Sequence, residues 1–234
     1  MNPFARIYEF SSTHPLIGRR MEALNNEAIA QGQAPLIPLP PHMPLEWGNF
    51  FVSCAVWAAP FVCGVMLLAG RAIFHHSDSR AIIGLALTVL LFVTWMLRIA
   101  YRYPAGFAPN QVRTLTEITT VSDMSAVPVR LEGEIIGTTG RFTSDLMFQD
   151  SSGMIFVLDR QSIPFANFLM AGKASEFAGA KVVLEGWYRR NLRPYVELSK
   201  IETDDGRSHR SYSCYIQIGI AFVASVALFW ITRW

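Results

Sequence analysis

Few residues in this chain have the types needed for chemistry, and their spacing is wrong for it. His75 and His76 are adjacent. A zinc peptidase helix needs two histidines one helical turn apart and a carboxylate beside the metal-bound water, which neighbouring residues cannot supply. Cys54, Cys63 and Cys214 all lie in apolar runs and form no Cys-x-x-Cys pair, so they read as small buried hydrophobes. Asp145, Asp150 and Asp159 fall where turns need carboxylates. There is no Gly-x-Ser-x-Gly elbow, Walker loop or dinucleotide fingerprint. The long apolar runs hold no histidine for a bis-histidine haem, and no ionisable group at their centres for a proton relay. The expectation is a protein that is not an enzyme, with no catalytic residue, metal or cofactor.

The elements that would carry any function are better marked. The 234 residues are 51% hydrophobic and only 16% charged, a balance that calls for a search for membrane spans. Three runs are long enough to cross a bilayer, at about 50–70, 81–97 and 212–232. The first two are joined by a short polar turn around Ser77 and form a hairpin. Trp47, Trp95, Tyr101, Tyr103, Tyr212, Tyr215, Trp230 and Trp234 stand near the run ends, where interfacial aromatics belong. Ala55 with Ala59, Gly84 with Thr88, and Ala221 with Ser225 have the small-residue spacing that lets helices approach. Residues 1–20 have no apolar core, so no cleavable signal peptide is expected. Arg98, Arg102, Arg113, Lys200, Arg207 and Arg210 fall on one side of the spans; Arg71, Arg80 and Arg233 fall on the other. The positive-inside rule then puts the N-terminus and the soluble domain in the cytoplasm; the membrane expected is a bacterial inner one. The expected organisation is an N-terminal amphipathic segment (1–30), a proline-rich linker (31–47), the helical hairpin (48–103), a β-domain (113–202) and a C-terminal span (211–234).

Within the β-domain, Val127, Val129, Leu131 and Ile135 alternate, as on a half-buried strand. Leu146–Gln149 and Met154–Leu158 flank an Asp-Ser-Ser-Gly turn and read as a hairpin. Ser162 caps a short helix to about residue 171, and two strands follow at 182–188 and 195–201. Gly133 and Gly186 fall inside strands, where a small barrel bends. The order of three strands, a helix and two strands resembles the OB-fold, a five-stranded Greek-key barrel. The fold class is therefore three transmembrane helices plus a small all-β OB-like barrel.

OB-folds often bind nucleic acid through basic and aromatic groups on the second and third strands. Here the outward positions would be Met147, Gln149, Met154, Phe156 and Leu158, with no Lys or Arg among them. Residues 113–202 carry 10 basic and 11 acidic side chains, which disfavours phosphate binding. Met147, Met154, Phe156 and Leu158 are instead candidate protein contacts. A second candidate surface is the cluster Trp187, Tyr188, Arg189, Arg190, Arg193 and Tyr195 at the last hairpin, facing a protein partner or lipid headgroups, with a solvated tip and a nucleic-acid contact as the alternatives.

A second resemblance is short. Phe10-Ser-Ser-Thr-His-Pro15, followed by Arg20, Met21 and Leu24, is similar to the segment near the end of the catalytic domain in M48 membrane metallopeptidases of the HtpX type. In that family the zinc is held by a His-Glu-x-x-His helix, which this chain lacks. The resemblance implies descent from a peptidase tail without peptidase activity, with His14 a structural relic or, as the alternative, a lone metal ligand. The expected function is an accessory or structural subunit that stabilises or helps assemble a larger membrane complex, respiratory and photosynthetic complexes being candidates. Its partners would be other membrane subunits and the bilayer. The alternatives are a regulatory remnant or partner of an M48-type peptidase and a membrane-tethered nucleic-acid binder.

Overall fold

The structure is a computed structural model that describes residues 3, 17–35, 47–74, 76, 79–138, 145–159, 175–191 and 193–232. The Ser-Thr-His-Pro motif with His14, most of the proline-rich linker, Ser77 and the expected helix at 162–171 lie outside the described residues.

Helix α1 spans Ile17–Ala30. Helices α2 (Trp47–Phe74), α3 (Arg80–Arg102) and α5 (Ser213–Thr232) are each long and apolar enough to cross a membrane. α3 is central and packs against both others. The packed stripe of α2 is Ser53, Pro60, Cys63, Leu67 and Gly70, the three- and four-residue steps of one helix face. On α3 and α5 the small residues do lie at contacts: Gly84, Ala221 and Ser225 are buried. Ala55 is exposed instead, because the packed stripe of α2 runs through Ser53 and Pro60. Hydroxyls within the helices bond back to carbonyls, Thr88 Oγ1 to Gly84 O at 2.8 Å and Ser225 Oγ to Ala221 O at 2.8 Å, which satisfies them without water.

The β-domain follows α3. Strand β1 (Ala108–Pro109) and helix α4 (Val112–Glu117) lead into β2 (Val127–Thr138), β3 (Leu146–Asp150), β4 (Gly153–Leu158), β5 (Lys181–Arg190), β6 (Pro194–Thr203) and β7 (Ser208–Arg210). Five strands form a ring in the order β2-β3-β4-β6-β5, closed by β5 pairing with β2. The β4–β6 pair is parallel and the other four are antiparallel. This mixed, closed arrangement fits an OB-like fold. Two short strands extend it: β1 runs parallel to β2 with Ala108 opposite Val129, and β7 pairs with β6 with Arg210 opposite Lys200.

Alternation sets the interior. Val129, Leu131, Ile135, Phe148, Val157, Leu184 and Ile201 fill the barrel, and Val112 and Leu115 of α4 pack on the same core. Two glycines let the ring close. A Cβ on Gly133 would stand 2.2 Å from Gln149 O, and one on Gly186 would stand 2.5 Å from Glu197 O. Backbones therefore cross at distances only glycine permits.

Candidate functional site at the junction of helices and barrel

The chain leaves α3 at Arg102 and turns at Tyr103 into the barrel. β5 and β6 present Arg189 and Glu197 toward that turn. Trp187 pairs with Glu197, and Arg189 with Tyr195, so Arg189 and Glu197 are diagonal neighbours across the two strands. The strands shift register between Glu185 and Gly186, and both faces of β6 from Tyr195 to Leu198 are buried. One face meets the barrel core. The other is covered by the end of α3, the connector through Asp123 and the start of α5.

Every polar group in this covered layer has partners. Arg189 Nε donates to Glu197 Oε2 at 2.7 Å, and Arg189 Nη1 donates to the Asp123 carbonyl at 2.9 Å. Arg189 Nη2 donates to the carbonyl of Arg102, the last residue of α3. Tyr103 OH donates to Glu197 Oε1 at 3.0 Å and accepts from Gln217 Nε2 of α5 at 2.9 Å. Arg102 Nη2 lies 3.6 Å from Glu197 Oε2. Trp187 Nε1 donates to Pro104 O at 2.9 Å, and its ring meets Tyr103 edge-on at 4.8 Å. Tyr195 OH donates to the Asp123 carboxylate. Two helices, the connector and two strands are thus joined in one network around Glu197.

The electrostatics follow from burial. Removal from water lowers the Arg189 pKa from its ordinary value, opposed by Glu197 and reinforced by Arg102. Burial also raises the Tyr103 phenol, and Glu197 adds to that rise. Tyr103 therefore stays protonated and serves as a fixed donor. The Arg189 and Glu197 side chains are at most 2% exposed, so they do not face a substrate. Among the described residues, no group of three His, Cys, Asp or Glu side chains is arranged to hold a metal. This arrangement fixes elements to one another.

The contact residues read from the sequence divide into two sets. Met154 is exposed, and Met147 and Phe156 are half-buried. The exposed Arg193 lays its guanidinium 4.2 Å from the centre of the Phe156 ring. Arg190 donates to Thr116 O at 3.1 Å. These five stay on the outside or near it. Leu158 does not: it is buried, because β4 runs parallel to β6 there, with Leu158 opposite Glu197. Trp187, Tyr188, Arg189 and Tyr195 are buried too, since Tyr188 belongs to the barrel core and the other three lie under the end of α3 and its connector. The expectation of a surface cluster at those positions is corrected to an internal junction.

Sequence reasoning missed Tyr103, Asp123, Glu197 and Gln217. One signal was available. Gln217 interrupts an otherwise apolar helix, and a polar side chain in such a run normally has a protein partner.

No protein-family model matches the chain, and no curated protein matches it. Among solved structures, the hypothetical protein ygiW from E. coli is similar, at 16% identity and a TM-score of 0.29, over 42% of this chain and 98% of that one.

Proposed function

We propose that this chain is a non-enzymatic accessory subunit of a larger membrane assembly, holding an OB-like barrel in a fixed pose against three membrane-spanning helices. The observation that supports this reading is the junction itself. A flexible tether needs no buried ion pair, whereas Arg189 and Glu197 are sealed between helix ends and strands. Burying a charge pair costs desolvation that is recovered only with good geometry, so the junction favours one orientation of the barrel over others. The barrel then offers Met147, Met154, Phe156 and Arg193 to a neighbouring subunit at a constant height above the bilayer. The arginine asymmetry supports an orientation with the barrel on the cytoplasmic side.

A second reading narrows the partner. The Ser-Thr-His-Pro motif is followed by a helix, Ile17–Ala30, carrying Arg20, Met21 and Leu24, as the M48 resemblance implies. That favours a membrane peptidase of this type as the first partner to seek.

The test is purification of the tagged full chain in mild detergent. A stoichiometric partner should accompany it and be lost from Met154→Asp while the barrel stays folded. A chain that purifies alone, or Met154→Asp that retains its partner in full, overturns the reading. In the same membranes, a cysteine at Ser77 in a background without native cysteines should react with an impermeant thiol reagent from outside. Labelling of a cysteine at Ser144 instead would reverse the orientation.

A further inference from the structure

Arg98 and Arg102 lie one turn apart near the end of α3, yet they have different surroundings. Arg102 is drawn to Glu197, which it shares with Arg189. Arg98 points to the other side, over the rings of α2, 5.3 Å from the centre of Trp57 and 5.7 Å from that of Phe61. Among the described residues, no carboxylate pairs with Arg98. It stands about 6 Å inside the helix end, from four residues at ~1.5 Å each.

Arg98 forms one wall of a partly open cleft, with Ser53, Trp57, Tyr101, Arg102 and Met124 around it. Ser53 Oγ and Tyr101 OH are hydrogen-bonded to each other at 2.9 Å. Whichever hydroxyl accepts keeps its own proton free to donate to a third group. The cleft thus combines a guanidinium set over two aromatic rings, a second guanidinium and a hydroxyl proton. Next to the cleft α2 overhangs α3: Ser53 is level with Tyr101, so the six residues from Trp47 extend about 9 Å beyond. Along that overhang Trp47 stacks on Phe51, and Phe50 meets both edge-on, an aromatic cluster of the kind found at a membrane boundary.

We infer that this cleft binds a phosphate group carrying net negative charge, with Arg98 as its principal ligand. A guanidinium presents paired donors that fit two phosphate oxygens, and a cation beside aromatic faces keeps its charge while it does so. The same chemistry fits the phosphodiester of an anionic phospholipid and a free phosphate anion.

The test uses the purified full chain in a neutral detergent, with thermal shift and lipid retention as readouts. Three probes are compared: phosphatidylglycerol, phosphatidylcholine and inorganic phosphate. Phosphatidylglycerol should bind saturably and raise the melting temperature. Its apparent affinity should fall roughly tenfold in Arg98→Gln, equivalent to about 1.4 kcal/mol. Arg71→Gln, at the opposite end of α2, should leave binding unchanged. Met124→Glu places a carboxylate at the cleft from a connector outside the helices, and should weaken binding to the same degree. It decides the matter should Arg98→Gln fail to fold. Saturable stabilisation by inorganic phosphate that requires Arg98 assigns the free anion as a ligand; stabilisation by phosphatidylglycerol alone assigns the lipid. Equal retention of phosphatidylglycerol and phosphatidylcholine, or equal losses in Arg71→Gln and Arg98→Gln, overturns the inference.

Discussion

Arg189 and Glu197 meet at 2.7 Å across the last hairpin of the barrel, and the guanidinium also donates to the final carbonyl of α3. Because an unpaired C-terminal helix carbonyl needs a donor, the arginine completes the helix while it neutralises the carboxylate. Glu197 in turn receives Tyr103, whose hydroxyl is bonded by Gln217 of α5. Loss of Glu197 would therefore loosen two helices as well as a strand pair. Glu197→Gln should destabilise the protein by about 3–5 kcal/mol, the usual cost of leaving one member of a buried pair. A double variant, Arg189→Met with Glu197→Leu, removes both charges and should recover most of that loss. Thermal unfolding in detergent micelles measures both. A double variant no better than Glu197→Gln alone would show that the hydrogen bonds, and not the charge pair, dominate.

Much of the barrel was legible because period-two alternation is a local signal. Val129, Leu131 and Ile135 were read as inward and are fully buried, and the expected strands match those observed to within three residues. The two-residue strand β1 carries no period and could not be read that way. The helices α2 and α3 run further than the apolar runs suggested, because hydropathy stops at Arg71 and Arg98 while the helices continue to Phe74 and Arg102. The charge of Arg98 is accommodated over the rings of Trp57 and Phe61. The junction was illegible for a different reason. Glu197 sits between Val196 and Leu198 in a strand that alternation alone assigns one wet face. Only the packing of α3 and α5 over that face makes it dry, and that contact joins residues 94 and 114 positions apart.

Gly133 and Gly186 should not tolerate a methyl group. At Gly133 the obstacle is a backbone oxygen 2.2 Å from the new Cβ, and at Gly186 it is one at 2.5 Å. Neither can rotate away, so Gly133→Ala and Gly186→Ala should each cost about 1–3 kcal/mol or more by forcing strands apart. Gly137 lies on the same strand as Gly133 with nothing within 4 Å of its virtual Cβ, and Gly137→Ala should change stability by less than about 0.5 kcal/mol. Melting temperatures of the three variants, compared in one detergent, test the close-approach argument. Equal losses at Gly133 and Gly137 would point to strand flexibility as the cause.

Asp150 should make the barrel sensitive to acid. Its Oδ1 accepts from Ser152 N at 2.7 Å, Ser152 Oγ at 2.7 Å and Gly153 N at 2.9 Å, closing the β3–β4 turn. Its Oδ2 accepts from Val112 N at 2.8 Å, the first residue of α4. The preceding residue, Gln111, makes no side-chain cap there. One carboxylate thus holds a turn and the start of a helix 38 positions earlier in the chain. Burial raises its pKa, but the bonds from Ser152, Val112 and Gly153 outweigh that and lower it below the ordinary 3.8. A depressed folded-state pKa gives stability that is fully present above the unfolded value and is lost as pH falls through the folded one. Asp150→Ala should cost about 0.5–2 kcal/mol at pH 7, the range for a lost helix cap. Asp150→Asn keeps an acceptor oxygen but not the charge, so it should cost less than Asp150→Ala at pH 7. Its deficit against the natural protein should narrow below about pH 4, where the unfolded carboxyl begins to bind a proton. Denaturant titrations of the three proteins at several pH values between 3 and 7 measure this directly. A deficit of Asp150→Asn that stays constant down to pH 3 would show that the charge of Asp150 adds nothing beyond its hydrogen bonds.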